Sequence, residues 1–261
     1  PHPRKEPRFD GPLTLERLEQ IFQDCVDFTK RPVSLGEGGA CTLTLCYLSG
    51  MVKMERVSDY VLRPLAQDEA LARCGTPRQA MDRMKDGALY NLSAEERTRL
   101  DAAVFDLVNG CCLLLFPGES SVLSLNVGTE EKRSISSPSN ETVLKGSRDA
   151  FVESLRTNTS IVRRHLKAPE LRIREQVVGR QSVTSVDILY IEGLTNPHLV
   201  EQVAAQLADI DIDAVLATGN IEEYIVPAAR TAFPLVQYTE RSDRFCAGLA
   251  EGRVGILDRK S

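Results

Sequence analysis

Two stretches of this chain resemble each other at a fixed spacing of 143 residues. Residues 45–52 read Leu-Cys-Tyr-Leu-Ser-Gly-Met-Val, and residues 188–195 read Ile-Leu-Tyr-Ile-Glu-Gly-Leu-Thr. In both, an alternating apolar strand ends at a glycine, and a helix is expected a few residues later. A second pair, residues 105–114 and 247–256, lies at nearly the same spacing. Each member of that pair has the pattern of a helix stopped by glycine and followed by an apolar strand. The two pairs predict a chain built from two related lobes.

The segment between the two copies has a different composition. Residues 128–146 are rich in Ser, Thr, Pro and charged side chains and have no apolar periodicity, which predicts a linker. The lobes are therefore expected at residues 13–127 and 147–258. Because strands and helices alternate along both, we predict the α/β class, with mostly parallel or mixed sheets covered by helices.

A two-lobed α/β chain suggests where a small ligand would bind. Ligands of parallel sheets lie beyond the carboxyl ends of the strands, and two lobes would leave a cleft between them. The polar residues expected to line such a cleft are Ser49, Glu192, Asn196 and Thr218. The alternative is that these side chains are helix caps and turn residues, and the sequence leaves it open.

Capping residues predict where two helices begin. Ser93 and Glu96 have the spacing of a capping box, which predicts a helix through Val108. Asn196 is a favourable N-cap, and Pro197 suits the first helical position because it has no amide proton to leave unpaired. The inward stripe of the helix that follows is expected at Leu199, Val203 and Leu207.

Residues 13–30 have apolar side chains at helical spacing and predict an amphipathic helix. Its inward side chains are expected to be Leu15, Leu18, Ile21, Phe22 and Val26.

The composition is that of an ordinary globular protein, with 42% hydrophobic and 26% charged residues. The net charge of −5 gives no overall attraction to nucleic acid or anionic lipid. The longest apolar run, residues 111–116, is far shorter than a spanning helix requires, and residues 1–9 lack the apolar core of a signal peptide. Seven cysteines, an odd number lying inside strand and helix patterns, favour reduced thiols in a cytosolic compartment.

Motifs that would indicate catalysis or a cofactor are absent from the sequence. The three histidines are His2, His165 and His198, and none belongs to a nucleophile elbow, phosphate loop, zinc-protease helix or dinucleotide fingerprint. Asp209, Asp211 and Asp213 alternate with isoleucines and lack the glycine turn of a calcium loop, so a solvated strand entry is favoured. We therefore predict no catalytic residue, no cofactor and no metal site.

Charge is unevenly distributed in the second lobe. Residues 145–180 carry a net charge of +5, and residues 184–230 carry −7. Segments of opposite sign are able to pair within the lobe, to pair across subunits of an oligomer, or to bind head groups or nucleic acid. The sequence favours the first reading and leaves the others open.

A series of motifs in the second half resembles a known family. Residues 155–170 read Leu-Arg-Thr-Asn-Thr-Ser-Ile-Val-Arg-Arg-His-Leu-Lys-Ala-Pro-Glu, preceded by Gly-Ser-Arg-Asp-Ala-Phe-Val-Glu at 146–153. Gln-Val-Val-Gly-Arg follows at 176–180, then Thr-Glu-Arg-Ser-Asp at 239–243 and Leu-Ala-Glu-Gly-Arg-Val at 249–254. In order and spacing these motifs resemble the N-terminal domain of the GerA-type A subunit of bacterial spore germinant receptors. The resemblance covers most of the chain and is strongest after residue 146.

The resemblance implies a non-enzymatic soluble domain that helps couple nutrient detection to ion release during spore germination. Its implied partners are the B and C subunits of the receptor and further copies of the A subunit, which assemble as a homo-oligomer into a membrane channel; nucleic acid is not among them. Membrane helices are expected after Ser261. The implied location is the spore inner membrane, with this domain on the cytosolic, spore-core side.

Four charged residues within the motifs are candidates for subunit contact or coupling: Arg163, Arg164, Glu240 and Arg241. Because Arg163 and Arg164 are adjacent, they cannot face the same side of a helix, and at least one is expected to point away from the core. The alternative function is a domain that itself binds a small nutrient, an amino acid or a sugar, in the cleft between the lobes.

Overall fold

A computed structural model describes residues 9–35, 41–89, 93–128, 150–179, 183–210 and 236–258. Contacts divide the chain into two compact units. Unit 1 comprises Pro1–Gln23 and Asp27–Glu130, and unit 2 comprises Asp24–Val26 and Glu131–Ser261. The predicted linker at 128–146 lies outside the described residues except for Gly128, so the predicted lobe boundaries stay a prediction.

Unit 1 is a five-stranded antiparallel sheet with helices on it. Its strands are β1 (Phe28–Ser34), β2 (Thr42–Leu48), β3 (Ala94–Arg97), β4 (Cys111–Leu115) and β5 (Val122–Asn126), in the spatial order β1-β2-β4-β5-β3. Its helices are α1 (Leu15–Ile21), α2 (Met54–Val57), α3 (Arg63–Gln67), α4 (Glu69–Ala72), α5 (Pro77–Arg83) and α6 (Leu100–Val108), with π-helical turns at Ser58–Leu62 and Met84–Ala88. Alternate residues of β2, β4 and β5 form a buried core with α2 to α5, including Leu45, Leu114 and Leu125. Helix α6 also packs on the sheet.

Unit 2 has a three-stranded antiparallel sheet with helices on both faces. Its strands are β6 (Leu171–Val178), β7 (Thr184–Ile191) and β8 (Gly255–Asp258), in the order β6-β7-β8. Helix α8 (Pro197–Ala208) forms a core with one face of β7 through residues such as Ile188 and Val203. Helices α7 (Leu155–His165) and α9 (Ser242–Ala250) form a core with the other face, where Ile173 and Leu189 are fully buried.

The strand register confirms the repeat seen in the sequence. In unit 1 Phe28 faces Leu48, and in unit 2 Leu171 faces Ile191, so both partners are displaced by 143 residues. The spacing continues into the turns, because Ser49 N donates to Asp27 O at 2.8 Å and Glu192 N donates to Glu170 O at 2.9 Å.

The third strand of each unit follows the same rule. Leu45 of β2 faces Leu114 of β4, and Ile188 of β7 faces Ile256 of β8. Gly110 and Gly252 precede these third strands with φ angles of +88° and +86°. Strands β1, β2 and β4 therefore correspond to β6, β7 and β8.

The prediction of mostly parallel sheets is wrong, because every pair of named strands in the described part of the chain is antiparallel. Only a bridge between Cys25 and Ile173, outside the named strands, is parallel. The reason lies in β1, which the sequence reading assigned to the end of a long helix. Only residues 35–41 separate β1 from β2, and so short a connection requires a hairpin rather than a parallel crossover.

Three local predictions also differ from the structure. Helix α1 ends at Ile21, and Val26 is 41% exposed, so residues 13–30 are not one helix. Residues 94–97 form β3, and the next helix begins at Leu100, so the predicted capping box does not form. Leu199 is 40% exposed, while Val200 is buried in the α8 stripe. The expected start of α8 is confirmed: Asn196 Oδ1 accepts from His198 N at 3.0 Å, and Pro197 occupies the first turn.

Candidate functional site

The motif at residues 155–170 folds as α7 and the loop that joins it to β6. Ser154 caps the helix by accepting a hydrogen bond from Thr157 N. One turn further, the fully buried Asn158 carboxamide accepts from Val152 N at 2.8 Å and donates to Val152 O at 2.7 Å. A single side chain thus satisfies both backbone groups of an incoming segment that has no strand partner at that residue.

Arg163 lies at the other end of α7 and is completely buried. Its Nη1 donates to Leu171 O at 3.1 Å and to Ala168 O at 3.4 Å. A buried guanidinium is stable only where its donors are hydrogen-bonded, and here the acceptors are carbonyls of the loop that enters β6. Arg163 therefore fixes the path from α7 into the sheet.

Cys25 reaches the same carbonyl from the other side. Its thiol donates to Leu171 O at 3.3 Å, and its backbone forms a parallel bridge with Ile173. Val26 N donates to Ile173 O at 3.0 Å, and Ile173 N donates to Asp24 O at 3.0 Å. Residues 24–26 thus form a short edge to β6 within unit 2.

The start of α9 contains two more of the predicted coupling residues. Phe151 N donates to Glu240 O at 2.9 Å, and Ala150 bridges Arg241. The Arg241 guanidinium binds Asp243 through two hydrogen bonds of 3.0 and 2.6 Å. Those hydrogen bonds, together with the backbone amide of Arg244, hold the pKa of the Asp243 carboxyl below its usual value.

The four predicted coupling residues differ in exposure. Arg163 is buried and Arg164 is half-buried, in agreement with the expectation that neighbouring arginines face different ways. The side chain of Arg241 is only 14% exposed, and Glu240 is half-buried. Glu240 and Arg241 lie together at the start of α9, and α9 packs on α7. Their role in coupling stays a prediction.

His165 and Ser242 form a pair that resembles a base and a nucleophile. His165 Nε2 lies 3.2 Å from Ser242 Oγ and ties the end of α7 to the start of α9. A nucleophile must be reachable by its substrate, and Ser242 has no exposed surface. The pair therefore serves as a helix-to-helix contact.

A second polar cluster lies on the α7 face of the sheet. Glu175 of β6 faces Asp187 of β7, and Arg156 of α7 forms ion pairs with both carboxylates. Ser185 Oγ adds a hydrogen bond to Glu175 at 2.9 Å. Asp187 is completely buried, so its negative charge requires a close cation. No sequence motif marked this cluster, because its members are brought together only by strand pairing.

The residues predicted to line a ligand cleft have local roles. Ser49 donates from its hydroxyl to Asp27 O at 3.1 Å in unit 1. In unit 2, Glu192 lies 3.7 Å from Arg172 Nε, and Asn196 caps α8. Thr218 lies outside the described residues. The three described side chains therefore act as turn, ion-pair and cap residues, and the cleft stays a prediction.

Unit 1 contains an open cavity of about 630 Å³ between the start of α1 and the β4–β5 connection. Its hydroxyl-bearing lining residues include Thr14, Thr42, Thr44, Thr98, Ser120 and Ser121. The sequence reading missed this cavity, because its lining comes from five separate parts of the chain.

The described residues offer little reactive chemistry. Within these ranges no three His, Cys, Asp or Glu side chains lie together in a way that could hold a metal ion. Burial raises the pKa of the Cys46 and Cys246 thiols to about 12, so both stay protonated and weakly nucleophilic at neutral pH. None of the described helices is both long and apolar enough to cross a lipid bilayer.

Comparison with known sequences decides the family. The family model described as Bacillus/Clostridium GerA spore germination protein matches residues 16–261. The chain belongs to the GerA family. The resemblance noted from the motifs is thereby confirmed.

Relatives of known sequence support the assignment to the GerA family. Spore germination protein KA of Bacillus subtilis is 32% identical over 231 residues, which cover 88% of this chain and 42% of that protein. The uncharacterized membrane protein YfkQ of the same organism is 34% identical over 243 residues, covering 93% of this chain and 46% of that protein. The chain thus spans less than half the length of these two curated relatives.

A solved structure shows the same fold. The N-terminal domain of the A subunit of the Bacillus megaterium spore germinant receptor GerK3 superposes with a TM-score of 0.73 at 26% identity. The match covers 95% of this chain and 90% of that domain. This GerA-family chain therefore has the architecture of a germinant receptor A-subunit N-terminal domain.

Proposed function

We propose that this domain is a non-enzymatic regulatory and assembly module of a spore germinant receptor A subunit. The observation that carries the proposal is the match to the GerK3 A-subunit domain along nearly the whole of both chains. In this proposal the domain acts with B and C subunits and with further A subunits in the spore inner membrane, on the spore-core side. It helps couple nutrient detection to ion release through the membrane part of the receptor.

The contacts of unit 2 support a mechanical role. Asn158, Arg163 and Arg241 all hold segments next to α7 and α9 in place through short hydrogen bonds. Such contacts transmit a displacement of one helix to its neighbours, because a packed interface moves between discrete arrangements. A partner subunit changes the balance of two such arrangements only if it binds them with different affinity.

Arg241 provides the test in the full-length receptor. Arg241→Ala removes the bidentate contact to Asp243 at the start of α9. We expect at least a tenfold slower nutrient-triggered release of ions from spores, with B and C subunits still present in the membrane. The isolated domain should lose no more than about 1 kcal/mol of unfolding free energy, because the pair is local and near the surface.

Arg253 offers a matched control. It also pairs with a carboxylate two residues away, since Arg253 Nη2 lies 2.7 Å from Glu251, but its side chain is 58% exposed. Arg253→Ala spores should germinate at the parent rate. Normal germination of Arg241→Ala spores, or unfolding of the isolated Arg241→Ala domain, would contradict a coupling role for this residue.

A further inference from the structure

The internal repeat is incomplete in unit 2. Unit 1 contains β5, which lies between β4 and β3 and pairs antiparallel with both. In unit 2, β8 corresponds to β4 and is the last strand of the described sheet. No strand described in unit 2 corresponds to β5.

The counterpart of β3 is nevertheless in place. Helices α6 and α9 correspond at a spacing of 142 residues, since their N-caps are Arg99 and Arg241. At that spacing, residues 236–239 correspond to β3. They run without regular secondary structure, directly before α9. Both flanks of the missing strand are therefore described, namely β8 and residues 236–239, and we name the place between them the β5-equivalent position.

Two exposed apolar residues mark this position. Tyr238 is 52% exposed, whereas its counterpart Glu96 lies in β3 with a side chain only 21% exposed. Leu194 is also 52% exposed, whereas its counterpart Met51 is 4% exposed.

The difference at Met51 has a visible cause in unit 1. The residues that leave β5 run over the turn that contains Met51: Val52 bridges Gly128, and Lys53 N donates to Val127 O at 3.0 Å. Leu194 lies in the corresponding turn of unit 2. A strand in the β5-equivalent position would continue over Leu194 in the same way.

We propose that unit 2 is completed by one further β-strand in the β5-equivalent position, antiparallel to β8 and to residues 236–239. Its source is the same polypeptide, C-terminal to Ser261. In unit 1 only residues 116–121 separate β4 from β5, so the repeat places the added strand within a few residues of Ser261. The curated relatives are more than twice as long as the stretch they share with this chain, so polypeptide exists there in the family.

The chemistry of the added strand follows from its two neighbours. A strand paired on both edges is covered on both faces, and β5 accordingly buries four consecutive residues, Val122 to Leu125. The strand that fits unit 2 is therefore about five residues long and apolar on both faces, with a tight turn before it. Pairing of this kind satisfies the backbone groups of an otherwise open edge.

The test extends the chain with a defined probe. A copy of residues 117–128 is joined after Asp258, the counterpart of Phe116, and amide hydrogen exchange is measured with and without it. We expect alternate amides of β8 and of residues 236–239 to become at least tenfold more protected, and the fluorescence of Tyr238 to report its burial. A copy with proline in place of both buried leucines of β5 should give no protection, because proline cannot pair in a central strand.

The source is tested with the natural continuation of the gene. The chain extended by its own next twelve residues should show the same protection as a monomer at every concentration. Three results would overturn the proposal: β8 amides already as protected as those of β7 in residues 1–261, protection that grows only as the chain dimerises, or no protection by either extension. The first would mean that residues 211–235 fill the position, and the second that another copy does.

Discussion

At the scale of single residues, the motif that identifies the family is mostly structural. Arg163 and Arg164 have the same chemistry and adjacent positions, but Arg163 is completely buried and holds two loop carbonyls. Arg164 is half-buried on the neighbouring face of α7. Two equivalent letters in the sequence therefore have different physical roles.

That difference predicts unequal effects of the same substitution. Arg163→Met should lower the free energy of unfolding by about 2–3 kcal/mol, because hydrogen bonds from a charged donor to buried carbonyls are lost. Arg164→Met should change it by less than about 0.5 kcal/mol, as expected of a surface substitution. Urea unfolding of the two variants measures both values. Equal destabilisation by the two would show that burial of Arg163 does not contribute to stability.

At the scale of elements, a long-range ion cluster decides the structure of residues 94–97. Glu96 accepts hydrogen bonds from Arg78 at 2.6 Å, from Lys85 at 2.6 Å and from Ser121 at 2.7 Å. These partners come from α5, the π-helical turn after it and the start of β5. They hold Glu96 in a strand, although its spacing from Ser93 is that of a helix cap.

The same cluster makes a pH prediction. The hydrogen bond from Arg78, followed by those from Lys85 and Ser121, lowers the pKa of Glu96 from 4.5 to about 2. Because the pKa is lowered on folding, the stabilisation is fully present above pH 4.5 and is lost as the pH falls towards 2. Glu96→Gln should cost about 1 kcal/mol at pH 6, a modest value because Arg78 and Lys85 are solvent-screened.

The difference between the parent and Glu96→Gln should shrink steadily between pH 5 and pH 2 in urea unfolding of unit 1. Glu69→Gln is the control, since Glu69 pairs with Arg73 but its side chain is 81% exposed. That variant should follow the pH profile of the parent. A Glu96→Gln effect that is constant with pH would contradict the role given to this cluster.

Helix-to-strand turns give a second prediction at this scale. Gly110 has a φ of +88°, and a Cβ there would lie 2.7 Å from Met51 O. Gly110→Ala should therefore destabilise unit 1 by about 3 kcal/mol, combining the cost of a left-handed residue with a backbone clash.

Gly118 is the matched control, because its φ is +79° but a Cβ would meet no atom within 4 Å. Gly118→Ala should cost only the conformational part, about 1–2 kcal/mol. Thermal unfolding of both variants compares the two values. Equal losses would mean that the turn at Met51 moves away without cost.

At the scale of the whole molecule, the chain uses one helix-and-strand arrangement twice. The register of β1 with β2 recurs in β6 with β7 without a single shift. Unit 1 adds β5 and β3 to this arrangement, and unit 2 does so only if a further strand joins it. A non-enzymatic module needs no more than such packed units and the surfaces between which force is transmitted.

The proposed function predicts the response of the whole chain to nutrients. Titration of the chain with a panel of amino acids and sugars in a calorimeter should give no saturable heat, because Ser49 and Asn196 already serve as turn and cap residues. The thermal midpoint should likewise not move in millimolar nutrient, since a ligand that binds the native state would raise it. Saturation at micromolar nutrient, lost in Ser49→Ala or Asn196→Ala, would favour the nutrient-binding alternative instead.

The sequence by itself determined the family, the repeat and the local signals. Motif order, the glycine after each third-strand helix and the Asn196–Pro197 cap depend on residues close together in the chain, where spacing alone carries the information. The structure bears out each of these.

Only the tertiary structure decided strand direction, the fate of residues 94–97 and the clusters around Arg163 and Asp187. Alternation of strands and helices is compatible with parallel and antiparallel sheets, and β1 contains Lys30, Arg31 and Pro32, which hide its strand character. Glu96 and Asp187 acquire their partners from residues distant in the chain. Contacts between distant residues form only when the sheets pair and the helices pack on them, so no local pattern records them.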